Sequence, residues 1–237
     1  MRASKTPRRM RPDPADVSIE RIGSEGDGIA RLPDGTPLYI PFTLPGETVS
    51  AHPTQSRGDG WHAIAGIIEN PSPNRVDPPC RHFGRCGGCV LQHWRDADYR
   101  AWKAGLLAHA LRQAGFTPPE NLPFIPSLPG ERRRIDFAVR RGGGRITIGL
   151  HEQRSPDVVD LTDCVVLHPA LMALITPLRA LLHPMRAIQR EASVVVNLLN
   201  SGPDMLLRTD AALTLEDRLA LIEFANAYGL PDRKSVV

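Results

Sequence analysis

Three cysteines fall within ten residues, in "CRHFGRCGGCVLQH" (80–93), and the fourth stands far off at position 164. The spacing is C-x5-C-x2-C, then 74 residues, then Cys164. No other feature constrains the fold as much. If the four thiols act together, the chain around Cys164 must return to the loop at 80–89, closing a long span that a small core does not fix alone. The glycines of "CGGC" let the backbone curl so that sulfurs and amide N–H groups face one centre.

The setting decides how such thiols are read. No apolar run is long enough to span a bilayer. The N-terminus is basic but has no apolar stretch behind it, so it is not a secretory signal. The expected home is cytoplasmic, where thiols stay reduced and disulfides are not expected. Close thiols then point to metal or redox chemistry. Structural zinc usually takes two pairs of ligands. Three local ligands and one remote are more typical of a [4Fe–4S] cluster, in which each thiolate holds one iron. A redox dithiol at Cys86 and Cys89, and a plain buried cysteine at 164, stay open as alternatives.

Around this motif the chain divides into regions. Residues 1–15 form an expected disordered basic arm, with Arg2, Lys5, Arg8, Arg9 and Arg11 and no acid before Asp13. Residues 16–70 read as four or five short strands with Gly- and Pro-rich turns, the pattern of a small β-barrel. "NPSPNRVDPP" leads into the cysteines. Residues 94–114 are helical in pattern, with Asp96 at the start and Gly115 at the end. Ile135, Phe137 and Val139 alternate, as do Ile146, Ile148 and Leu150, and "RRGGGR" joins them as a hairpin. Pro169 opens a helix toward Leu182 that Pro177 should kink or split. "SVVVNLL" and "DMLLRTD" make a second hairpin. Thr214 and Asp217 read as a capping box. The region 71–237 is therefore α+β.

The net charge of +3 is too weak by itself to establish a nucleic-acid partner. Its distribution says more: residues 131–145 hold six arginines against Glu131 and Asp136. A solvated surface is the plain alternative for such a cluster.

The cysteine segment resembles the iron–sulfur motif of the uracil-C5 RNA methyltransferases. The match falls on Cys80, Cys86, Gly87, Gly88, Cys89, Gln92, His93 and Lys103, and "DVVDLTDC" puts Cys164 in the fourth position. "IERIGSEGDGIARLPDGTPLYIPFTLPGETV" is similar to the family's TRAM domain, a small RNA-binding barrel. Having both modules resembles the branch that modifies 23S ribosomal RNA.

The resemblance implies a [4Fe–4S] cluster on Cys80, Cys86, Cys89 and Cys164, and RNA as partner. It also implies methyl transfer from S-adenosylmethionine to C5 of a uridine. That reaction needs a cysteine thiolate to add at C6, a base for the C5 proton, and a flipped-out base. It also needs a Rossmann-like domain with a glycine loop. Gly142–Gly144 joins two strands instead, and all four cysteines are claimed by the cluster.

The sequence thus leads to an α+β expectation in three parts: the arm (1–15), a TRAM-like, OB-like barrel (16–70) and an iron–sulfur central domain (71–237). A Rossmann-like catalytic domain is expected to be absent and the chain by itself inactive. Arg132, Arg133, Arg134 and Lys103 are the expected RNA contacts. His82, Phe83 and His93 offer rings for stacking on bases, or pack around the cluster. A stand-alone RNA-binding module and a zinc-stapled interaction protein remain the other readings.

Overall fold

The computed structural model of the chain describes residues 10–120 and 124–230. It divides into two compact units. One joins Met1–Pro78 to Val90–Phe124, the other Pro79–Cys89 to Ile125–Val237. The chain therefore changes unit three times, at 78/79, 89/90 and 124/125. The sequence drew one boundary near residue 70. The strands of the first sheet do end at Asn70, but residues 90–124 group with that sheet as well. Most of the basic arm, residues 1–9, lies outside the described residues, as does the end from 231.

The first unit holds β1 (Ala15–Ser18), β2 (Arg21–Ile22), β3 (Gly28–Arg31), β4 (Pro37–Ile40), β5 (Thr48–Arg57) and β6 (Gly60–Asn70). They form one sheet in the order β1-β5-β6-β4-β3-β2, antiparallel except for the β4–β6 pair. "VSIERI" is two strands rather than one. The break falls at Ile19, whose amide donates to the Glu47 carbonyl and whose carbonyl accepts from Gly46. Register shifts along β5 mark bulges, which bend a strand and let a small sheet curl. Gly28 is required by close approach: a Cβ there would collide with the Thr43 hydroxyl and press on Ile19. The core is Val17, Ile19, Leu38, Ile40, Val49 and Trp61, all nearly or fully buried. Each such side chain contributes about 1.5–3 kcal/mol on burial.

α1 (Asp96–Gln113) belongs to this unit through one end. Leu91 joins Ile22 and Leu44 in a small core, with Val90, Trp94, Tyr99 and Trp102 packed against it. The helix buries no residue fully. Arg95, not Asp96, occupies the cap position, and Asp96 and Asp98 lie in the first turn, where negative charge suits the helix dipole. Gly115 follows with φ +83°, the left-handed stop expected of it.

The second unit is built on β7 (Arg134–Gly142), β8 (Arg145–His151), β9 (Val158–Asp160), β10 (Glu191–Leu199) and β11 (Gly202–Thr209). The sheet is antiparallel throughout, in the order β11-β10-β7-β8-β9. Both expected hairpins are present, with positive φ at Gly143 and Gly144 in the first. One face is apolar: Ile135, Phe137, Ile148, Val194 and Val196 are buried there. α2 (Pro169–Met172), α3 (Ile175–Leu182) and α4 (Leu215–Ala227) cover that face with Leu171, Leu178, Leu182 and Phe224.

The helix that Pro177 was expected to kink is two helices, broken at Ala173–Leu174. Pro177 then sits in the first turn of α3, where its missing N–H has no partner to lose. The α3 end is gathered by Arg141, which donates to the carbonyls of Leu182, His183, Met185 and Ile188. The Thr214–Asp217 capping box is formed as read.

Candidate metal centre

The loop 80–89 is a turn laid against the end of β8. The Phe83 amide donates to the Cys80 carbonyl, and the Arg85 and Cys86 amides donate to His82. Gly84, at φ +88°, permits the tight reversal. Cys86 then pairs with Glu152 as an isolated bridge. Gly87 donates to the His151 carbonyl and Gln153 to Arg85, and an Arg85–Glu152 ion pair of 2.7 Å flanks them. The "GG" of the motif has a packing reason: a Cβ on Gly87 would lie 3.0 Å from the His151 carbonyl oxygen, and one on Gly88 2.8 Å from Leu150.

Cys164 follows β9 and packs against the core of the same unit. Two residues before it, the Thr162 hydroxyl lies 3.2 Å from His82 Nε2. The remote cysteine's segment is thus pinned to the loop that carries the other three. None of the four thiols is in a disulfide, and all are half-buried and in one unit.

The environment bears on Cys86. Burial raises its thiol, and the negative charges of Cys164 and Cys80 raise it further. The Gly88 amide, 3.4 Å from Sγ, and the Arg132 guanidinium act in the opposite sense without reversing the shift. The donor set fits a thiolate-ligated metal in type and number and in belonging to one unit. Among the described residues, however, no three His, Cys, Asp or Glu side chains stand close enough together to hold a metal ion.

The other sequence candidates scatter. Arg132, Arg133 and Arg134 are exposed at the entry to β7. Arg132 Nε donates to the Arg134 carbonyl, and Arg133 donates to Leu198 O and to Asn200, so two of the three guanidinia are partly engaged. Lys103 lies on α1 in the first unit, its ammonium 5.0 Å from the Trp102 ring centre and 5.7 Å from that of Tyr99. Phe83 is half-buried on the loop.

His93 is buried in the first unit, edge-on to Phe42. Burial and the Arg75 charge push its pKa down to about 4, with Glu47 opposing. The Gln92 amide is buried, with no hydrogen-bond partner among the described residues.

Sequence reasoning missed Glu47 and Arg75. Glu47 is fully buried and accepts from Arg75 Nε at 2.6 Å, Arg75 Nη2 at 2.7 Å, and the amides of Leu44 and Ser72. The "PGE" turn was the one signal that pointed to it. Arg75 also begins a closure. Val76 donates to the His93 carbonyl, and Arg95 to that of Asn74, so residues on either side of the cysteine loop are paired at its base.

Residues 9–58 match the TRAM domain family. A protein of Caulobacter vibrioides named as an uncharacterized RNA methyltransferase is 40% identical over 193 residues, 80% of this chain and 45% of that one. The 23S rRNA (uracil(1939)-C(5))-methyltransferase of Nitrosospira multiformis is 34% identical over 219 residues, 90% of this chain and 49% of that one. The solved tRNA (uracil-54, C5)-methyltransferase of Pyrococcus abyssi, in complex with S-adenosyl-L-homocysteine, shares the fold at a TM-score of 0.57 and 20% identity, over 86% of this chain and 48% of that one. The resemblance to RNA uracil-C5 methyltransferases therefore holds. The chain spans about half the length of the curated relatives it matches.

These proportions correct the expected fold class. The expected absence of a Rossmann-like catalytic domain does not stand. A match over 86% of this chain that takes in only 48% of the S-adenosyl-L-homocysteine complex does not let the extent of the fold be set by where the sequence stops. The fold is the one described above for residues 10–120 and 124–230, and the expected inactivity falls with the expected absence.

Proposed function

We propose that this chain, with its TRAM domain and its relatives named RNA methyltransferases, serves an S-adenosylmethionine-dependent RNA uracil-C5 methyltransferase acting on 23S rRNA in the cytoplasm. Cys80, Cys86, Cys89 and Cys164 hold a [4Fe–4S] cluster in this reading. The observation that supports it is that all four cysteines belong to one unit, with the Cys164 segment pinned to the cysteine loop through His82 and Thr162. Among the described residues, no helix is long and apolar enough to cross a membrane.

Cys80, Cys86, Cys89 and Cys164 would each ligate one iron of such a cluster, which would tie loop 80–89 to the segment after β9. Everything else asked of these residues concerns RNA. The TRAM barrel and the arginines at the entry to β7 meet phosphates, Arg134 with the least engaged guanidinium of the three. Lys103, over two rings on α1, presents a cation beside aromatic surface. S-adenosylmethionine supplies the methyl group; none of the described residues is assigned to it.

The test is iron, sulfide and zinc content of anaerobically purified protein with its visible spectrum. About four irons and four sulfides, with broad absorption near roughly 400 nm, are expected of a thiolate-ligated [4Fe–4S] centre. One zinc without sulfide overturns the cluster. Cys86→Ser and Cys164→Ser should each lower iron content, although the two thiols sit on different segments.

A further inference from the structure

A cleft of about 660 Å³ opens in the second unit between β8, β9 and α3. Its wall is apolar, with Leu161, Met172 and Ile175, and its rim is charged, with Arg145, Asp160 and Arg179. That is the composition of a small-molecule site: apolar lining with a few convergent polar groups. The two arginines are not equivalent. Arg179 is fixed, donating to the Ile146 carbonyl at 2.6 Å and to Asp160 at 2.5 Å. Arg145 is exposed at the start of β8, where its backbone pairs with Gly142, and its guanidinium has no hydrogen-bond or ion-pair partner among the described residues. Two guanidinia against one carboxylate leave the rim positive.

We propose that this cleft receives one unpaired nucleotide of the RNA. The inference rests on the RNA-binding reading above and adds a site to it. The base lies on the wall formed by Leu161, Met172 and Ile175, where an extruded ring finds apolar contact. Arg145, the free guanidinium at the rim, takes the phosphate bidentately. Asp160, held by Arg179, accepts from the base edge. Thr162 also lines the cleft, and its hydroxyl meets His82 of the cysteine loop. The Thr162–His82 contact therefore links the nucleotide site to the cysteine loop.

The experiment titrates the full chain and Arg145→Ala with a fluorescein-labelled oligouridylate across a salt series. The same RNA carrying 4-thiouridine is then photocrosslinked and mapped by peptide mass spectrometry. Arg145→Ala should weaken binding roughly tenfold, the size of one charge-assisted hydrogen bond. The slope of log K against log salt should fall by about 0.7, one phosphate on a single strand. Crosslinks should map to the peptides that carry Leu161 or Met172, and uridine monophosphate should compete better than inorganic phosphate.

If wild type binds RNA while Arg145→Ala is unchanged and crosslinks fall elsewhere, the cleft is wrong and RNA binding stands. If phosphate competes as well as the nucleotide, the site is an anion site and the proposal is overturned. If wild type does not bind RNA, the functional reading fails and the cleft assignment fails with it. Because Arg145 is exposed, the variant's circular dichroism should match wild type, so that weakened binding is not loss of fold.

Discussion

At the scale of single residues, Glu47 is the most consequential side chain that patterning did not expose. Its partners lie 28 residues away at Arg75 and 25 away at Ser72, beyond any local periodicity. Burial works to raise its carboxyl, but the Arg75 guanidinium and the Ser72 and Leu44 amides outweigh it, and the net shift is downward. Its contribution is therefore present above the ordinary glutamate range and lost as pH falls through the depressed folded value. Glu47→Ala strands Arg75 and two amides, and should lower unfolding free energy by roughly 3 kcal/mol in denaturant titration. His93 acts over a different window. With a folded pKa of about 4 against 6.5 unfolded, it stays neutral in the fold while the unfolded chain takes up a proton. Stability should fall by up to about 3 kcal/mol as pH drops from 6.5 to 4. Tm measured across that range should flatten in His93→Gln; an unchanged slope would show that other groups set it. The cysteines, by contrast, stand out by their spacing, which needs no tertiary partner to be seen. Their half-burial and the weak engagement of Arg132–Arg134 were not, since both depend on what the strands bring alongside.

At the scale of elements, local chemistry was a good guide wherever it was self-contained. The Thr214–Asp217 box, Pro169 at a helix start, the two hairpins and the Gly115 stop all rest on neighbours within a few residues. The capping box also does something sequence does not disclose, since Asp217 accepts from the Arg186 and Ala187 amides some thirty residues upstream. Thr214→Ala should cost about 1 kcal/mol, the ordinary value of a cap. Asp217→Ala leaves three amides without an acceptor and should cost clearly more, about 2–3 kcal/mol. Equal effects in thermal melts would show that the upstream amides find water instead. Gly149, inside β8, reads as an ordinary strand position. In the fold a Cβ there would run into the Val159 carbonyl across the β8–β9 pair. Gly149→Ala should therefore loosen β9 and the Cys164 segment behind it. Faster amide exchange at Val159 and Leu161, with β10 unchanged, is the expected signature.

At the scale of the whole molecule, sequence reading found both kinds of architecture but drew the dividing line as if the chain were two beads on a string. It missed the return of residues 90–124 to the first unit, because Trp94 and Trp102 read simply as part of the helical pattern over 94–114. Only the distant Ile22 and Leu44 reveal what they pack on. A Cys86→Ser protein probes how far the cysteine loop supports the rest. If the loop serves only the second unit, that variant should lose protection from exchange in the β8 end while Val49 and Trp61 amides stay protected. The three crossings between units have a further consequence for inheritance. Exchange of either unit between relatives takes several simultaneous breakpoints, because a crossover at 78/79, 89/90 or 124/125 alone splices incomplete halves. The eleven residues that carry three of the four cysteines travel between two segments of the other unit, so lineages that lose or alter these cysteines should do so by point substitution within an intact frame rather than by trading the module.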